Sequence, residues 1–81
     1  MEKIIVEISV PALGKTFDFE LPAQNGGRET AEDVAAILSR INPELRMETP
    51  ELYDTANGLC LNGRPSLLAA SVRDGSHLML A

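Results

Sequence analysis

The stretch Thr30 to Ile41, reading Thr-Ala-Glu-Asp-Val-Ala-Ala-Ile-Leu-Ser-Arg-Ile, constrains the fold most, because no other segment carries a sustained helical period. Thr30 is placed to cap the free amides of a first turn, and Glu32 and Asp33 put negative charge where the helix dipole favours it. Asp33 three residues after Thr30 gives a shortened capping box. Val34, Ile37, Leu38 and Ile41 recur at spacings of three and four, which predicts one apolar stripe. Asn42-Pro43 ends the helix, since a proline disfavours helical geometry in the residue before it. About twelve residues make a rod of roughly 18 Å, too short to be stable alone. The helix requires a sheet.

Alternating segments supply that sheet. From Lys3 to Val10, Ile4, Val6, Ile8 and Val10 fall on one side, Glu7 and Ser9 on the other, and Ile5 breaks the pattern. Pro11 to Lys15 is a turn in which Gly14 is free to take a positive φ. Thr16 to Leu21 alternates again, with Phe17, Phe19 and Leu21 expected in the core, so the two segments read as an antiparallel hairpin. Pro22 to Glu29 is polar, contains Gly26-Gly27 and reads as a flexible crossover to the helix, and Pro43 to Glu51 has no period and reads as loop. Leu52 to Thr55 and Leu59 to Leu61 are short strands around an Asn57-Gly58 two-residue turn. Ser66 to Ser71 suits a helical turn capped by Ser66 with Leu67 inward. Asp74-Gly75 is a last turn before a terminal strand, His77 to Ala81, with Leu78 and Leu80 on one face. The order is ββαβββ in a single domain spanning residues 1–81.

Composition excludes several classes of function. A net charge of -5 argues against nucleic acid or an anionic membrane as the main partner. No apolar run reaches the roughly 18 residues of a membrane span, and Met1-Glu2-Lys3 leads into a strand pattern where a signal peptide would carry an apolar run. One cysteine permits no internal disulfide and suits a reducing compartment, so the expected location is the cytoplasm. Cys60 lies between two leucines and is either a structural or a reactive thiol, with no basic neighbour in sequence to favour the second. His77 is the single histidine, and without further His or Cys ligands at suitable spacing no metal site or cofactor is expected. Gly14-Lys15-Thr16 matches the end of a phosphate-binding loop, but the earlier glycine would fall on Ser9 and a strand follows. The acidic residues are scattered along the chain as on a solvated surface. No catalytic residue is assigned.

Taken together, these residues resemble the ubiquitin-like β-grasp family. Gly14-Lys15-Thr16 followed by Phe17, Phe19 and Leu21 is similar to ubiquitin's first hairpin, and Thr30-x-Glu32-x-Val34 with Leu38 to its helix start. Leu61, Ser66-Leu67, Val72 and Leu78-x-Leu80 stand at close to the spacings of its second half, with extra residues in 22–29 and around Asn57-Gly58. The resemblance implies an α+β fold, a mixed sheet packed on one α-helix. Conjugated members and the sulfur carriers act through a C-terminal Gly-Gly. Read as complete, this chain stops at Leu80-Ala81 and has only Lys3 and Lys15 as lysines, so modifier chemistry is not expected.

What the resemblance implies instead is binding through the open side of the sheet. By motif position the corresponding residues are Tyr53, Met79 and Ala81, with Leu13 on the hairpin loop. Alternation beside Leu52, Leu78 and Leu80 turns Tyr53 and Met79 outward, and Tyr and Met suit protein recognition; single apolar residues also occur on surfaces with no role. Among the groups in the family, a small acidic chain without a tail looks most like the YukD type, bacterial proteins associated with type VII secretion, which implies an adaptor with protein partners. Two alternatives are an accessory subunit of a multicomponent enzyme, as in toluene monooxygenases, and a conjugation or sulfur-carrier protein shortened at its end.

Overall fold

A computed structural model describes residues 2–81. Among them run β1 (Lys3–Val10), a 3-10 turn (Pro11–Leu13), β2 (Lys15–Pro22), α1 (Gly27–Ile41), β3 (Leu52–Asp54), β4 (Leu59–Cys60) and β5 (His77–Leu80). The strands form one sheet in the order β2-β1-β5-β3-β4. β1 pairs antiparallel with β2 from Lys3↔Pro22 to Val10↔Lys15, and parallel with β5 from Glu7↔His77 to Ser9↔Met79. β5 pairs antiparallel with β3, which pairs antiparallel with β4. The mixed sheet with one helix on its inner face is the predicted α+β arrangement.

The core fills the space between sheet and helix. Val6, Ile8 and Val10 of β1, Leu52 of β3, and Leu78 and Leu80 of β5 are buried against Ala31, Val34 and Leu38 of α1. Leu61, Leu67 and Val72 close the side where the chain is irregular. Each such aliphatic side chain stabilises the fold by about 1.5–3 kcal/mol. Period two places Ile4, Val6, Ile8 and Val10 inward on β1, while Ile5 stays 55% exposed on the outer face.

Several expectations are corrected. The helix begins three residues before Thr30, with Gly26 at the N-cap, which offers no side-chain cap. Thr30 therefore sits inside the helix, where its hydroxyl donates back to the Gly26 carbonyl at 2.8 Å and its amide to the same oxygen at 3.0 Å. Glu29, not Glu32 or Asp33, occupies the first turn. The buried face is Gly27, Thr30, Ala31, Val34, Ala35 and Leu38, while Ile37 and Ile41 are 44% and 65% exposed, Ile41 being the last residue of the helix. Asn42 does end the helix, its amide donating to Leu38 at 2.8 Å.

The Gly26-Gly27 segment is packed where a flexible crossover is expected. A Cβ built on Gly27 would stand 1.6 Å from the Leu61 carbonyl oxygen and 2.3 Å from its carbon, so only glycine lets the helix lie against the 61–64 turn. Phe17 and Phe19 meet edge to face at 6.3 Å and are only half-buried, because β2 is the outermost strand and nothing covers them from its far side. The β3–β4 connection is a four-residue turn, 55–58, with Gly58 left-handed at φ 63°. The turn expected after Ser66 is present: the Ser66 hydroxyl accepts from the Ala69 amide at 3.0 Å, its carbonyl accepts from the Ala70 amide at 3.2 Å, and Leu67 is buried. Pro43–Glu51 is irregular as predicted, yet it buries Leu45 and Pro50.

Candidate protein-binding surface

Strand register decides which side chains share the outer face, because residues directly opposite one another project to the same side. Thr16 stands opposite Ser9, Ser9 opposite Met79, Met79 opposite Tyr53, and Tyr53 opposite Cys60. These five residues form one row across all five strands, facing away from the helix. Its β5-β3-β4 end is apolar and half-buried: Met79, Tyr53 and Cys60. The next row, Asp18–Glu7–His77, is polar, and Glu7 accepts a 2.7 Å contact from His77 Nδ1.

Tyr53 is held in place. Its hydroxyl donates to Glu51 Oε1 at 2.8 Å, and the Glu51 backbone exchanges two 2.9 Å hydrogen bonds with Ala81. The hydrogen bond to Glu51, followed by the carboxylate's charge and partial burial, raises the Tyr53 pKa above its ordinary value. The phenol is thus a neutral donor fixed on an apolar row, and the surface offers shape, a ring and one polar handle.

Of the four residues predicted for this surface, the structure groups three. Tyr53 and Met79 are paired in register, and Ala81 is exposed just past the end of β5. Leu13 does not join them: it closes the 3-10 turn and packs, half-buried, against the core. Gly14 follows it in the left-handed region at φ 62° and leads into β2, so Gly14-Lys15-Thr16 is a hairpin turn with no helix behind it. Beyond Ala81 an open cleft of about 420 Å³ runs between Pro11, Ala12, Arg46, Met47 and Thr49, extending the uncovered surface past the end of the sheet.

Sequence reading set Cys60 aside, and the register restores it as the neighbour of Tyr53. The signal available was the short β3–β4 hairpin, but a two-residue turn at Asn57-Gly58 gives a different pairing from the four-residue turn found. Asp54, buried on the inner face, is a structural acid: its carboxylate accepts from the Ala56 amide and from Asn57 Nδ2, both at 3.0 Å, which fixes that turn. Among the described residues no group of three or more His, Cys, Asp and Glu could hold a metal ion, and no helix is long and apolar enough to cross a membrane.

No family model and no curated protein matches this chain. Solved structures do. The ubiquitin-like domain of the Arabidopsis thaliana protein At2g32350 superposes with a TM-score of 0.73 at 17% identity, over 100% of this chain and 78% of that one. The ubiquitin-like domain of EccD1, from the type VII secretion system of Mycobacterium tuberculosis, superposes with a TM-score of 0.70 at 24% identity, over 100% of this chain and 99% of that one. The ubiquitin-like domain of Plasmodium falciparum Dsk2 gives 0.63 at 21% identity, over 99% and 100%. The chain has the ubiquitin-like β-grasp fold.

Proposed function

We propose that this protein is a non-enzymatic protein-interaction module of a bacterial type VII secretion system, acting in the cytoplasm through the outer face of its sheet. The observation that carries the binding reading is the Met79–Tyr53–Cys60 row: three half-buried, polarizable or aromatic side chains in register on the face opposite the helix. Such a row offers a partner apolar area with little conformational entropy to lose, because Glu51 already orients the tyrosine. The secretion reading is supported by the end-to-end superposition on the EccD1 domain, 100% of this chain on 99% of that one. An acidic net charge of -5 favours a protein partner over nucleic acid.

The test is co-purification from the source bacterium of the membrane and ATPase components encoded with its type VII system, using wild type and Tyr53→Asp. Circular dichroism first establishes that the variant is folded. The proposal expects those components with wild type and their loss with the variant. Capture of an oxygenase complex would replace the secretion reading with that of an accessory subunit, and capture of an adenylating enzyme would return the conjugation or sulfur-carrier reading.

A further inference from the structure

β2 is an open edge whose backbone is unpaired, and its chemistry selects what can pair with it. The amide of Ala23 donates to Glu2 at 3.0 Å, which makes Glu2 and Ala23 a hydrogen-bonded pair. Alternation along an antiparallel ladder then turns the backbone groups of Ile4, Val6, Ile8 and Val10 toward β2, and those of Ile5 and Glu7 away from it. The other side of β1 agrees: the Ile5 amide donates to Asp74 Oδ1 at 2.8 Å, and the Glu7 amide to the Ser76 carbonyl at 3.0 Å. By the same alternation Thr16, Asp18 and Glu20 direct their N–H and C=O groups to the open edge. Among the described residues, none of these six groups has a backbone partner there. Pro22 closes one end, having no N–H and accepting at its carbonyl from the Asn25 amide at 3.2 Å.

Side chains on the two faces of this edge differ. On the inner face Phe17 and Phe19 are half-buried and uncovered from the edge side. On the outer face Glu20 meets Lys3 at 3.8 Å, whereas Asp18 stands opposite another acid, Glu7, and has no ion-pair partner among the described residues. Like charges opposite one another across a strand pair are unfavourable. A second copy is a poor occupant: it brings a net charge of -5, and the symmetric antiparallel register centred on Asp18 sets the two Asp18 carboxylates against each other.

We propose that the β2 edge binds an extended segment of a partner protein by strand addition, and that this segment alternates cationic and apolar residues. Residues opposite Asp18 and Glu20 are Lys or Arg on the outer face. Residues opposite Phe17 and Phe19 are apolar and complete the edge of the core. Main-chain hydrogen bonds to Thr16, Asp18 and Glu20 supply affinity, and the alternating side chains supply selection. This surface is separate from the Met79–Tyr53–Cys60 row and stands or falls independently of it.

The experiment titrates ¹⁵N-labelled protein with acetyl-Gly-Arg-Val-Arg-Val-Thr-Gly-amide. The expected result is that chemical-shift changes centre on the Thr16, Asp18 and Glu20 amides, whose hydrogen exchange slows. Affinity should fall as salt rises, and should fall about five-fold in Asp18→Lys, the order expected for exchanging an exposed attraction for a repulsion. Asp18→Glu should keep the wild-type affinity, and a peptide with Glu in place of Arg should not bind. The proposal is overturned if the shifts map to Tyr53 and Met79 with the edge amides still exchanging freely. Equal binding of the acidic peptide, or edge protection that appears without peptide as protein concentration rises, also overturns it.

Discussion

Replacing Gly27 with alanine tests whether the helix is fixed by a contact that no sequence pattern announces. In an ordinary helical position the change is favourable by about 0.5–1 kcal/mol, since alanine loses less conformational freedom. Here the new methyl would lie 1.6 Å from the Leu61 carbonyl oxygen and 3.0 Å from the Asn62 amide nitrogen. Both are backbone atoms, so no side chain can swing aside, and the helix must withdraw by more than about 1 Å from a close-packed turn. That turn is itself tied down: the Gly27 amide donates to Arg64 at 3.2 Å, and Asn62 spans from the Leu52 amide to the Pro50 carbonyl at 2.9 and 3.0 Å. Overpacking of this kind costs about 1–3 kcal/mol and sometimes more. With the upper end appropriate and the propensity gain subtracted, the expected net loss is about 2 kcal/mol. For a domain of this size that lowers the Tm by roughly 8–16 °C. Thermal and urea unfolding of Gly27→Ala measure it, with Gly63→Ala as control, since a Cβ there meets nothing within 4 Å. A Gly27→Ala protein as stable as wild type, or more so, would refute the close-approach argument.

Leu38→Ala should destabilise by about 2–5 kcal/mol, and Ile41→Ala by no more than about 0.5 kcal/mol, although the two residues look equivalent in the sequence. Urea denaturation separates them, because Leu38 is fully buried and Ile41 is 65% exposed. Tyr53 is the single tyrosine and the chain has no tryptophan, so absorbance near 295 nm reports its ionisation directly. Its midpoint should lie above the ordinary tyrosine value of about 10, and Glu51→Gln should lower it toward that value. The sign for stability follows. A raised folded-state pKa means that the native state holds the proton more tightly, so this contribution is complete below the unfolded tyrosine's pKa. It is lost as pH rises through the folded pKa.

Period-two alternation made β1 legible almost residue by residue, including the outward exception at Ile5. Such a signal needs only one buried face and a continuous strand. The helix was readable in existence and in its stop at Asn42-Pro43, but not in its start. Thr30 is a strong capping residue by type, and the choice of Gly26 was made by the fit of Gly27 against Leu61, a contact between segments far apart in sequence. Ile37 stands at the edge of the face that Thr30, Val34 and Leu38 bury, and Ile41 is the last residue of the helix, so both stay exposed although their spacing fits the stripe. Phe17 and Phe19 read as core because alternation reports the face of a strand and not its place in the sheet. As to the candidate surface, the resemblance pointed to Tyr53 and Met79 by motif position, and local alternation was enough to turn both outward. Cys60 required the β3–β4 register, and Leu13 required knowing that the 3-10 turn folds back on the core.

Docking of a protein partner on the outer sheet face has its direct readout at Tyr53, Met79 and Cys60. Hydrogen–deuterium exchange with side-chain NMR of the protein, free and bound to the component captured from the secretion system, tests it most directly. On docking, the Met79 methyl and Tyr53 ring signals should shift and Cys60 should become inaccessible to thiol reagents in the complex, with the helix face unchanged. A complex in which Met79, Tyr53 and Cys60 remain as exposed as in the free protein would contradict it.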